Sequence, residues 1–134
     1  MDIERRIFIN NDFDVVLARM QAREVAKEIG FGAADQARIS LAASELARVL
    51  IWNVDILSEL LLKDIMNDGT RGVQVTCTIN LTNVTLPAES GIHWSKSPSP
   101  VSRSLAGACH LVDESIVEEQ DGDSAIVILT KWLK

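Results

Sequence analysis

The spacing of apolar residues changes period several times along this chain, and each change marks an element. Ile7 and Ile9 flank Phe8 in the segment from Arg5 to Ile9, which predicts a short first strand with Phe8 on the other face. From Asp12 the period lengthens. Val15, Ala18, Ala22, Val25 and Ile29 recur at helical spacing among Arg19, Arg23, Lys27 and Glu28, so an amphipathic helix with a solvated face is expected, closed by Gly30. A second helix is expected from about Ala34 to Trp52, with Ile39, Ala43, Leu46 and Leu50 as its apolar stripe. Leu41, Glu45, Arg48, Val49 and Trp52 also share helical spacing, giving this helix a second face that mixes a carboxylate and a guanidinium with apolar neighbours.

Between Val54 and Met66 periodicity admits either a continued helix or a strand. Beyond it, Val73, Val75, Cys77, Ile79 and Leu81 alternate with Gln74, Thr76, Thr78 and Asn80, the pattern of a half-buried strand. The turn chemistry of Asn67-Asp68-Gly69 then favours residues 58–66 as its hairpin partner. All three prolines fall between Pro87 and Ser104, the one loop-like stretch. Ser99 and Pro100 suit an N-cap and first turn, and Val101, Leu105, Ala108 and Leu111 predict a third helix to about Asp113. A closing hairpin joins Ser115–Glu119 to Ser124–Leu133 through Asp121-Gly122. Its Ala125–Leu129 run is apolar enough for a strand buried on both faces. The order implies helices on one face of a mostly antiparallel or mixed sheet, an α/β two-layer sandwich.

Composition narrows the chemistry. At 134 residues and 47% apolar, the chain makes one domain, residues 1–134, with a substantial core. A formal charge of -6 disfavours a nucleic-acid partner. No apolar run reaches membrane-spanning length, and Met1-Asp2-Ile3-Glu4-Arg5-Arg6 carries charge where a signal peptide needs an apolar stretch, so a cytoplasmic protein is expected. Cys77 and Cys109 are too few for a disulfide scaffold or a structural zinc site and are read as core thiols. His93 and His110 lack partners at ligand spacing, so no metal site is expected.

Asp35-Gln36-Ala37-Arg38-Ile39 followed by Ser44-Glu45-Leu46-Ala47-Arg48 resembles the signature helix of the RsbT-type stressosome switch serine kinases. These belong to the anti-sigma-factor kinase branch of the GHKL, or Bergerat-fold, ATPases. The likeness extends to Val25-Ala26-Lys27-Glu28-Ile29-Gly30-Phe31-Gly32, to Leu111-Val112-Asp113-Glu114 and to the closing Lys131-Trp132-Leu133-Lys134. It implies a Bergerat sandwich with three helices on one face of the sheet. It also implies a Mg-ATP site built from a general-base Glu, a magnesium-holding Asn one helical turn on, an adenine-binding Asp and glycine loops whose amides meet the phosphates.

The base position is matched by Glu45, beside Arg48. The magnesium position is Val49, which has no oxygen to offer. The adenine motif falls on Ile79-Asn80-Leu81-Thr82-Asn83, without carboxylate or glycine, though Asn80 can stand in if the register slips by one. The lid glycines are replaced by Ser97-Pro98-Ser99-Pro100-Val101-Ser102-Arg103-Ser104, where proline has no amide hydrogen to donate. The degenerate pocket would thus lie around Glu45, Arg48, Val49, Asn80, Asn83, Ser102 and Ser104, with Glu45 a vestigial general base and no cofactor or metal expected. Trp94 is placed either as filling of that pocket or as a partner anchor. The expected function is that of a pseudokinase: a regulatory partner-switching protein that binds a STAS-domain antagonist or a downstream signalling protein, with a homodimer compatible with it. The alternatives are an active serine/threonine kinase that phosphorylates a STAS-domain protein through an atypical Mg-ATP site, and a Bergerat module that only dimerises or binds a sigma factor.

Overall fold

The computed structural model describes residues 2–52, 58–80, 100–120 and 124–134. In chain order the elements are β1 (Glu4–Phe8), α1 (Asp12–Ile29), α2 (Ala33–Trp52), β2 (Glu59–Asn67), β3 (Thr70–Asn80), α3 (Pro100–His110), β4 (Glu114–Glu119) and β5 (Ser124–Trp132). The five strands form one sheet in the order β1-β2-β3-β5-β4, and every described pairing is antiparallel. This is the expected two-layer α/β sandwich.

Local chemistry sets the element ends. Asn11 caps α1: its side chain accepts the Asp14 N–H at 3.1 Å while the Asp14 carboxylate accepts the Asn11 N–H at 3.3 Å, a reciprocal capping box. Gly30 closes the helix at φ 115°, left-handed backbone that a β-carbon would strain, and its N–H reaches the carbonyls of Ala26 and Lys27. Asp68 (φ 50°) and Gly69 (φ 81°) make the two-residue turn between β2 and β3, so the segment from 59 is a strand and not a continued helix.

The register brings Ile7, Leu60, Cys77 and Val127 into one cross-strand row and Leu62, Val75 and Leu129 into the next. These rows form the inner face of the sheet, closed over by Val15, Ala18, Ala22, Val25 and Ile29 of α1 and by Ile39, Ala43, Leu46 and Leu50 of α2, all buried. Burying a single side chain of this size contributes about 1.5–3 kcal/mol, so the shared face carries most of the stability.

Two expectations are corrected. Ala125, Val127 and Leu129 are buried but Ile126 and Ile128 are only half-buried, because the described helices cover one face of the sheet and leave the other without a second layer. The third helix ends at His110, not near Asp113: the Asp113 N–H bonds to the Thr130 carbonyl and its carboxylate accepts the Trp132 N–H at 2.8 Å, which turns the chain into the sheet. The face of α1 turned from the core is solvated as expected, and it carries the exposed side chains of Phe13, Val16 and Met20 beside a half-buried Arg19. Leu81, the Ser99 cap and the Asp121-Gly122 turn lie outside the described residues.

Lys131, nearly buried, ties the layers together through Asp113 at 3.4 Å and Asp35 of α2 at 3.7 Å, with Lys134 at 3.5 Å from Asp113. Partial burial raises the Asp113 carboxyl, but the Trp132 N–H and the two ammonium groups outweigh it and leave the pKa below the ordinary carboxylate range. The folded state therefore holds this proton less tightly than the unfolded chain. Its contribution is complete above the ordinary carboxylate pKa and is lost as pH falls through and below the ordinary carboxylate range. Thermal melts across that window should fall less steeply for Asp113→Asn than for the unaltered chain, although the variant starts less stable at neutral pH. At Gly72 a β-carbon would stand 2.7 Å from the Trp132 ring and 2.8 Å from the Lys131 carbonyl, so Gly72→Ala should cost about 1–3 kcal/mol in urea unfolding.

Candidate functional site

Helix α2 carries the candidate chemistry because it lies between α1 and α3, packed on both, above the sheet. Nearly every turn of it is buried: Ile39, Ser40, Ala42, Ala43, Ser44, Leu46, Ala47, Val49 and Leu50 are all shielded. Glu45 and Arg48 sit at its rim, with side chains 23% and 42% exposed, and are paired at 2.5 Å. A β-carbon on Gly107 of α3 would lie 4.0 Å from Glu45 Oε2, so the two helices approach closely beside this carboxylate.

The second face read from the sequence divides. Leu41 and Trp52 remain about half exposed, whereas Val49 is wholly buried among the core side chains. The position one helical turn beyond Glu45 is thus part of the packing, and an oxygen ligand there would need its own desolvation to be offset. Asn80 ends β3 opposite Ser124, and strand alternation places it on the face opposite Ile79, which is sealed beneath the helices. Asn80 and Glu45 are therefore not brought together. Ser102 and Ser104 are buried on α3, the helix that packs against α2. Asn83, His93 and Trp94 lie outside the described residues.

The cysteines are not arranged for nucleophilic work. Burial pushes the Cys77 thiol up to about 12 and also raises that of Cys109, against a lowering hydrogen bond from Ser115. Among the described residues no three His, Cys, Asp or Glu side chains are grouped to hold a metal ion, and no helix is long and apolar enough to cross a membrane. Sequence reasoning missed the Lys131 cluster, whose only signal was a lysine at the end of an otherwise apolar strand, and the approach of Gly107, signalled only by a small residue inside a helix.

No family model matches the sequence. Serine/threonine-protein kinase RsbT of Bacillus subtilis (strain 168) is 29% identical over 137 aligned residues that span the whole of both chains. The chain is RsbT-like along its entire length. The crystal structure of the RsbU and RsbW domains of Rv1364c from Mycobacterium tuberculosis shares the fold, with a TM-score of 0.62 at 18% identity. That match covers 98% of this chain and 32% of the other. The RsbT-like chain thus keeps the sandwich and the Glu45 helix, with valine sealed into the core one turn beyond the carboxylate. Val49→Asn should place an amide in that packing and lower stability by about 1–3 kcal/mol in urea unfolding.

Proposed function

We propose that this chain is a regulatory partner-switching protein that resembles a stressosome switch kinase but neither binds Mg-ATP nor transfers phosphate, and that it acts by docking a STAS-domain antagonist or a downstream signalling protein. The observation that carries the reading is the burial of Val49. A magnesium ion needs oxygen ligands in near-octahedral geometry, and the helix offers a single carboxylate at this site, already engaged by Arg48. The fit is no better on the sheet, where Asn80 lies on the face away from the helices. The residues present do not fit the nucleotide, so no catalytic step is derived through it. What supports binding as the remaining role is the retained scaffold, from the Asp35–Arg48 helix to the closing strand, together with the likeness to serine/threonine-protein kinase RsbT over the whole chain.

Titration calorimetry with Mg-ATP should give no magnesium-dependent heat, and Val49→Asn alone should not restore it, because the segment before α3 still holds prolines where phosphate-binding amides are needed. Incubation with radiolabelled ATP and a STAS-domain protein should leave that protein unlabelled while co-purification with it persists. Magnesium-dependent nucleotide binding or phosphate transfer would establish the alternative, an active serine/threonine kinase with an atypical site.

A further inference from the structure

On the face of the sheet turned from the helices, apolar side chains gather on the side of the last two strands. Register sets Ile126, Ile128 and Trp132 of β5 on this face, with Ile116 of β4 directly opposite Ile128. Ile116 is 45% exposed, and the three β5 side chains are half-buried, with no layer over them among the described residues. The Trp132 ring lies over Gly72 of β3, and its Nε1–H donates to the Glu114 carboxylate of β4. Those two contacts hold the indole across its own strand. Beside it a cleft of about 280 Å³ is bounded by Asn67, Asp68 and Thr70.

The dimensions of this stripe suit one helix. From Ile126 to Trp132 it runs roughly 20 Å at about 3.3 Å per residue, the length of an α-helix of about thirteen residues. Two neighbouring strands together are about 10 Å wide, close to the diameter of a single helix. The charges beside the stripe decide the character of that helix. β4 reads Glu-Ser-Ile-Val-Glu-Glu, three carboxylates with no cation of its own, and Glu114 and Glu118 stand on either side of Ile116 on this face. Glu118 and Glu119 are exposed and meet no cation among the described residues. The other flank, on β3, presents Gln74, Thr76 and Thr78 and carries no charge. The net charge of the whole chain, -6, has the same sign as the acidic flank. An apolar stripe with one acidic border is complementary to a helix with an apolar face and a basic border.

We propose that the outer face of β4 and β5 docks a basic amphipathic helix of another protein. Its apolar side lies on Ile116, Ile126 and Ile128, its cations run along Glu114 and Glu118, and a basic side chain at its end stacks on the Trp132 ring beside Asp68. The surface is on the side of the sheet away from Glu45, so the inference goes beyond the proposed function and holds whether or not the chain binds nucleotide. Ile116 and Glu118 are exposed on the last strand of the sheet, so both tolerate substitution without loss of the fold.

The probe is an amphipathic Leu/Lys peptide of about eighteen residues, long enough to hold a helix on its own. Titrated into the isotope-labelled full chain, it should shift the amide resonances of β4, β5 and the β2–β3 turn and leave those of α1 and α2 in place. A Leu/Glu peptide of the same length should shift none. Ile116→Lys and Glu118→Lys should each weaken binding of the Leu/Lys peptide by about tenfold or more. Glu24→Lys makes the same change of charge on the exposed side of α1 and should alter binding by less than about twofold. Thermal melts separate loss of the surface from loss of the fold, and Glu118→Lys carries the test if Ile116→Lys proves unstable. No binding, shifts centred away from β4 and β5, or equal weakening by Glu24→Lys would overturn the proposal. So would self-association of the unaltered chain that Ile116→Lys abolishes, since a second copy would then occupy the face.

Discussion

One layer of helices on one face of the sheet is the constraint on which the rest of this protein depends. Because α1 and α2 close only the inner face, every strand must alternate, with Ile7, Leu60, Cys77 and Val127 inward and their neighbours facing out. A register slip of one residue would turn this whole set toward solvent. The same arrangement seats α2 between two other helices, so that it is shielded on most of its circumference and presents only a narrow rim.

That rim decides the chemistry. Glu45 and Arg48 lie on it and neutralise one another; Val49, a single turn onward, lies under it. In a helix packed on both sides, the net shift of about 40° around the axis between residues four apart is enough to separate a rim position from a core position. Under the proposed reading, valine in place of an oxygen-bearing residue does two things at once: it offers no ligand and adds a well-packed apolar group to the core. A scaffold can keep its stability through such an exchange while losing a cation site, and this is what makes the proposed role, regulation by binding alone, compatible with a kinase-like architecture.

The charges left over are distributed with a similar economy. Lys131 and Asp113 join the closing strand to the first turn of α2 at the end of the sheet, a contact that holds α2 at a fixed height over the strands. The two outer strands differ in charge, one acidic and one mixed.

Most of the architecture was legible from the chain. The 3.6-residue stripe of Ile39, Ala43, Leu46 and Leu50, the alternation from Val73 to Ile79 and the left-handed residues Asp68 and Gly69 are local signals, and local sterics and burial enforce them whatever the neighbours do. The sequence likewise placed Glu45 on a helix and showed valine four residues beyond it. What it could not supply was the direction in which each mixed-face residue points. Leu41, Val49 and Trp52 share a spacing, yet α3 covers Val49 and leaves the other two half exposed. Ile126 and Ile128 read as doubly buried until the sheet is seen to lack a second layer among the described residues. Periodicity records that a face is apolar, but which neighbour covers it is a long-range contact, settled only when distant segments pack together.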